Sequence, residues 1–246
     1  MSLVKTFEKQ GNFLFKYRGQ FPVILFLLAI PFVWKTDYSP ISTYNEKIYT
    51  IISITLALFG FIIRFYTIGT TPKGTSGRNT NEQVAEVLNS SGVYAIVRHP
   101  LYLGNYLIWI GIACFVFNTA FIVLVTLLFW LYYERIMFAE ERFLEKKFGN
   151  EYLEWSNKIP AFIPRISKFT VSVIPFSIKT VLRREYSGVL ATVLGFCFIE
   201  AIRNFKLRLG LLSINMIYLL VITVFISLFL RFLKHHTKVL FEENRS

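Results

Sequence analysis

Acidic side chains, cysteine and histidine are all scarce in this 246-residue chain, which holds 15 Asp and Glu against 27 Lys and Arg, two cysteines and three histidines. Cys114 and Cys197 lie inside apolar runs, so they read as small hydrophobes rather than as a disulfide or thiolate metal site. No set of His, Cys and carboxylate has metal-ligand spacing, and His235 and His236 fall in a basic tail, so no metal is expected. The absence of G-x-G-x-x-G argues against a soluble dinucleotide-type fold. The N-terminus carries no short apolar core followed by a small-residue cleavage signal, and it is expected to be retained.

Apolar residues are what the chain has in abundance. They make up 54% of it and aromatics 17%, the mean hydropathy is +0.50, and several runs approach the length that crosses a bilayer. The fold class expected is all-α, a polytopic transmembrane bundle of about six spans with a cofactor pocket on the cytoplasmic side. The net charge of +12 sits beside hydrophobic segments, as the positive-inside rule and anionic headgroups produce, and no basic motif with interleaved aromatics suggests nucleic acid.

The expected spans are 21–34, 48–66, 101–117, 120–133, 187–199 and 209–230. Lys5, Lys9, Lys16 and Arg18 precede the first, and Arg231, Lys234 and Lys238 follow the last, which puts both termini in the cytoplasm. Arg203, Lys206 and Arg208 in the final turn run mildly against that rule. Arg64, near the end of the second span, reads as a side chain snorkelling to the interface. Residues 67–91 read as a loop rich in Gly and Pro, followed by a short interfacial helix over Asn81 to Leu88. Only Asn118 and Thr119 separate the third and fourth spans, so these form a tight antiparallel hairpin whose outer ends face the same side. In domain terms, 1–166 is a transmembrane core with its motifs in 88–165, and 167–246 is an extension carrying two further spans.

The densest chemistry lies in G-V-Y-A-I-V-R-H-P-L-Y-L-G, from Gly92 to Gly104. Polar groups beside hydrocarbon are costly unless they have a specific task. Pro100 suits the first turn of a helix and puts His99 at the cap, where free amides and the positive dipole end favour an anion. Arg98, His99 and Tyr102 add donors around that end. Beyond the fourth span come Glu140 and Glu141, which the hairpin returns to the same membrane surface. On a continued helix Glu140 shares a face with Ile136, Phe143 and Leu144, whereas Glu141 aligns with Glu145 beside Arg142 and Lys146. Glu140 is therefore the expected buried carboxylate.

The ordered blocks S-G-V-Y-A-I-V-R-H-P-L-Y-L-G, E-E-R-F-L-E-K-K-F-G-N-E-Y-L-E-W and I-P-A-F-I-P-R resemble the isoprenylcysteine carboxyl methyltransferase and phospholipid methyltransferase superfamily, over about Leu88 to Arg165. The resemblance implies an integral membrane enzyme that takes a methyl group from S-adenosylmethionine. It assigns cofactor contacts to Glu86, Val87, Leu88, Asn89, Tyr94, His99, Pro100, Leu101, Tyr102 and Glu140; Arg98 joins them as a donor at the helix start, and Arg135 and Glu141 are the expected catalytic residues. Two departures stand out: Glu86 replaces a histidine found in some members, and the substrate-side arginine position falls on Ile136, with Arg135 one residue earlier. The implied acceptor is a membrane-embedded amphiphile, most directly a prenylcysteine carboxylate, with a phospholipid amine as the alternative. A membrane reductase using NADPH and a non-enzymatic binding protein are the readings from other classes.

Overall fold

The computed structural model describes residues 2–41, 43–75, 83–243 and 245. Among these it is all-helical, with eight α-helices: α1 (Leu3–Lys16), α2 (Phe21–Lys35), α3 (Thr43–Gly69), α4 (Pro100–Cys114), α5 (Thr119–Phe148), α6 (Asn150–Ser156), α7 (Ile178–Leu207) and α8 (Ile214–His236). Helices α3, α5, α7 and α8 are long and apolar enough to cross a membrane, and α2 and α4 are shorter apolar helices. The six expected spans correspond to α2, α3, α4, α5, α7 and α8.

The α4–α5 hairpin sets the architecture. Its turn is held by Asn118, whose Oδ1 accepts from the Phe121 amide at 3.0 Å while its Nδ2 donates to Thr36 Oγ1 at 2.8 Å. That is an N-cap of the usual kind, with its spare donor tying the hairpin to the end of α2. At 1.5 Å per residue the 30 residues of α5 run about 45 Å, longer than a hydrocarbon core of about 30 Å. Its C-terminal third therefore emerges from the apolar layer, carrying Glu140 and Glu141. Gly149, at φ 53°, ends α5 and turns the chain into α6, a backbone state that costs glycine little.

Helices α3 and α4 cross closely because small residues face each other there. A Cβ on Gly60 would lie 2.6 Å from the Gly104 carbonyl oxygen, and one on Gly104 would lie 2.8 Å from the Gly60 oxygen. Small residues are what allow such an approach in lipid, where packing rather than water exclusion joins helices. The core on the hairpin's turn side gathers Val33, Ala113, Val116, Phe121, Val125 and Ile199, and a second cluster around Phe129, Tyr133 and Ile136 lies toward the emerging end of α5.

Four expectations need correction. A helix precedes the first span: α1 is amphipathic, lays Gly11 against the Arg135 backbone and Ala139 of α5, and is tied by Tyr132, whose hydroxyl donates to the Leu14 carbonyl at 2.9 Å. Helix α7 begins at Ile178, not near Ser187, because Arg184 and Glu185 are buried in the bundle rather than solvated. Helix α8 starts at Ile214, five residues after the expected Leu209. Of the interfacial helix expected over 81–88, Asn81 and Glu82 lie outside the described residues, and 83–88 is irregular. There the Glu86 amide donates to the Gly74 carbonyl at 2.9 Å, and Ala85 and Leu88 turn inward, so tertiary contacts override a helix-like composition.

Because the α3–α4 crossing has no room for a side chain, Gly104→Val is expected to lower stability by about 1–3 kcal/mol, the range for overpacking. Thermal unfolding of the detergent-solubilised protein measures this; a midpoint equal to the wild type would mean that the helices separate without cost.

Candidate functional site

The site forms where α4 begins and α5 leaves the apolar layer. Pro100 opens α4 and His99 is its N-cap residue, with no side-chain capping bond, so the imidazole remains available to α5. The two carboxylates of α5 fork around it. His99 Nε2 lies 2.8 Å from Glu141 Oε1, an arrangement in which Nε2 carries the hydrogen. Its Nδ1 is 3.7 Å from Glu140 Oε2. The Tyr102 hydroxyl donates to Glu140 Oε1 at 2.8 Å, and Arg98 reaches Glu141 at 3.4 Å.

Glu140 and Glu141 are almost equally exposed, with 25% and 26% of their side chains accessible. The expected contrast in burial is absent: Tyr102 in the first turn of α4 donates to Glu140, and His99 at its cap faces Glu141. What separates them is the partner: a neutral phenol for Glu140, an imidazole and a guanidinium for Glu141. Arg142 pairs with Glu145 at 2.7 Å, and Lys146 pairs with Glu8 of α1.

The segment after α6 closes one wall. Backbone amides of Arg98 and His99 donate to the carbonyls of Pro160 and Ala161 at 2.9 and 3.2 Å, and the Arg165 amide donates to Ile96 at 2.9 Å. The R-H-P and I-P-A-F-I-P-R blocks, more than sixty positions apart, are thus hydrogen-bonded neighbours. Trp155 Nε1 donates to the Tyr94 carbonyl at 3.3 Å, holding α6 on the short 3₁₀ turn Val93–Ala95. Burial, reinforced by the charge of Glu140, pushes the Tyr94 hydroxyl above its usual range, and burial beside Glu141 does the same for Tyr152. Both phenols stay protonated at neutral pH.

These residues surround a cavity of about 460 Å³, within the range of small-ligand sites. Of the residues singled out from sequence, Val87, Leu88, Asn89, Tyr94, Arg98, His99, Pro100, Leu101, Tyr102, Glu140 and Glu141 line it. Glu86 and Arg135 do not. Glu86 is exposed and its carboxylate lies against Gly74; Arg135 lays its guanidinium over the Phe7 ring of α1, 3.6 Å from the centroid, and pairs with Glu134 at 3.0 Å. The one-residue offset from Ile136 turns Arg135 toward α1, while Ile136 itself is fully buried.

Sequence reasoning missed several wall residues. Arg18, Arg64, Asn105, Tyr133, Arg184 and Glu185 also line the cavity. Arg64 does not snorkel. Its Nε and Nη2 donate to both oxygens of Glu185 at 2.7 Å, and Nη1 donates to Asn105 Oδ1 at 2.5 Å. The available signal was Arg64 inside an apolar span, a charge that needs a partner in hydrocarbon; Glu185, beside Lys179, Arg183 and Arg184, gave none.

Four membrane-length helices bundled around a polar cavity define an integral membrane protein. Residues 48–151 match the phospholipid methyltransferase family. The chain is 36% identical over 94 residues to the cobalt-zinc-cadmium resistance protein CzcN of Cupriavidus metallidurans, covering 38% of this chain and 41% of that one. It is 32% identical over 80 residues to the protein-S-isoprenylcysteine O-methyltransferase of Schizosaccharomyces pombe, covering 32% and 34%. With the enzyme of that name from Saccharomyces cerevisiae it shares 30% over 121 residues, covering 49% and 51%. The chain thus spans between about a third and a half of the length of these relatives. No solved structure matches it.

Since Arg135 stacks on Phe7 outside the cavity, Arg135→Ala is expected to loosen α1 by about 0.5–1 kcal/mol, the worth of an exposed cation–π contact, and to leave ligand affinity at the cavity unchanged. Thermal unfolding and calorimetric titration of the same preparation read the two effects; lost affinity at unchanged stability would place Arg135 at the site instead.

Proposed function

We propose that this chain is a membrane methyltransferase that uses S-adenosylmethionine to methylate the carboxylate of a prenylcysteine-type acceptor. The observation that carries the reading is the pair Glu140 and Glu141, held by Tyr102 and His99 at the polar end of the cavity. It is supported by relatives named protein-S-isoprenylcysteine O-methyltransferase.

The residues present fit such a cofactor. Glu140 offers an ammonium group a carboxylate oriented by Tyr102. Among the described residues, Arg98 Nε is a buried polar atom without a hydrogen-bond partner on a side chain that lines the cavity, as suits a site for an anionic or hydroxylated ligand. The first-turn amides of α4, which have no intrahelical acceptor, favour a carboxylate. Tyr94, Val87 and Leu88 supply the aromatic and apolar wall for a purine. Bound S-adenosylmethionine supplies a methyl group already activated on a sulfonium sulfur.

The protein's remaining work is alignment and exclusion of water. His99 and Arg98 fix Glu141, and Tyr102 fixes Glu140, so the polar wall is preorganised before ligands arrive. In this reading both termini and the cavity mouth face the cytoplasm, the acceptor arrives from the bilayer, residues 1–166 form the core, and 167–246 is an extension that completes the wall.

Glu140→Gln is expected to weaken S-adenosylmethionine by about 1.5–3 kcal/mol, the range for a hydrogen bond to a charged group. Isothermal titration of the detergent-solubilised full chain tests this. Unchanged affinity in a variant with wild-type unfolding behaviour would remove Glu140 from the site.

A further inference from the structure

A second, smaller cavity of about 190 Å³ adjoins the first. Leu25, Phe26, Ile108, Ile112 and Val125 line it, so it is a hydrocarbon pocket within the bundle. Arg64, Asn105, Trp109 and Gly188 belong to the walls of both cavities. Among the described residues, Arg64 is the cationic side chain that faces the two together. The cation expected on the substrate side, Arg135, lies outside both.

We propose that Arg64 is the anchor for the acceptor's carboxylate and that Glu185 is its internal stand-in, displaced when the acceptor binds. The proposal deepens the methyltransferase reading and rests on it. Glu185 grips Arg64 through both oxygens, so the guanidinium already presents the bidentate geometry that a free carboxylate requires. Asn105 holds the third donor of Arg64, and its Nδ2 donates to the Tyr133 hydroxyl at 3.1 Å. The Tyr133 ring packs on Tyr102 at 4.7 Å, and Tyr102 bonds Glu140. A single run of contacts thus joins the donor end to the guanidinium. An amphiphile with its tail in the smaller cavity brings its head to Arg64, and the pairing selects an anionic head over a cationic amine.

The reaction itself then releases the product. One acceptor oxygen takes the methyl carbon, the carbon–sulfur bond breaks with its electron pair returning to sulfur, and no proton moves. The carboxylate becomes a neutral ester, its attraction to Arg64 falls, and Glu185 recaptures the guanidinium.

The test uses the full chain in detergent and N-acetyl-S-farnesylcysteine as the acid, with its methyl ester as the neutral analogue. Binding is read by fluorescence of Trp109, in a background where the other tryptophans are replaced by Phe, without methyl donor. The wild type is expected to bind the acid about tenfold or more tighter than the ester. In Arg64→Gln/Glu185→Gln, which replaces both buried charges together and so avoids orphaning one, that preference should vanish while S-adenosylmethionine binding persists. Glu185→Gln alone removes the competitor and should tighten the acid severalfold. An acid preference that survives the double substitution, or no tightening in the single one, overturns the proposal. Wild-type protein that binds S-adenosylmethionine but shows no acid preference overturns this inference alone. Wild-type protein that binds no S-adenosylmethionine overturns the methyltransferase reading on which it rests.

Discussion

The paired carboxylates at the polar end of the cavity depend on the seam between α4 and α5. Two helices leaving one tight turn stay neighbours along their length, so whatever lies at the far end of one must meet the far end of the other. At that end α4 presents His99 and Tyr102, and α5 presents two consecutive carboxylates. Consecutive residues on a helix point about 100° apart, which is why one donor cannot serve both. The imidazole takes Glu141 and the phenol takes Glu140, and the space between α4, α5 and the irregular segments remains open as the cavity.

How much of this the sequence disclosed follows from the range of each interaction. The start of α4 was legible because a proline at the first helical position and the residue before it form a local signal. The hairpin was legible because only two polar residues interrupt the apolar run, and Asn118 is a good cap. Helix α1 was missed because its apolar positions are spread at helical spacing rather than in a run. The start of α7 was missed for a different reason. Hydropathy counts Arg184 and Glu185 as breaks in a span, yet Glu185 is neutralised by Arg64, 121 positions away. No local window contains that pair.

The same long-range pairing explains the conflict with the charge rule in the final turn. Lys206 donates to the Thr36 carbonyl at the end of α2, and Arg203 stacks over the rings of Phe115 and Phe117 at 4.7 Å while donating to the Phe115 carbonyl at 3.4 Å. These cations satisfy carbonyls that helix ends leave without an intrahelical partner, and they complement the negative dipole ends of α2 and α4. Their place is dictated by packing at the turn side of the bundle, so they say little about which leaflet they face.

Electrostatics also divides the two ends of the bundle by task. At the turn side, cations meet carbonyls and aromatic faces, contacts that only hold helices together. At the cavity side, Glu140 is held by the neutral Tyr102 phenol and Arg64 by the Glu185 carboxylate, partners that a ligand's ammonium and carboxylate would replace in the proposed reading. A buried pair in low dielectric is costly to break when one partner is left alone, so a ligand carboxylate that takes over Arg64 keeps the cation paired, while the displaced Glu185 needs another donor or a proton. In the proposed reading, the ion pair on the cavity wall keeps both charges matched until an anionic ligand competes for the cation. Helices α3 and α7, which supply Arg64 and Glu185, are as much a part of the polar wall as the α4–α5 seam.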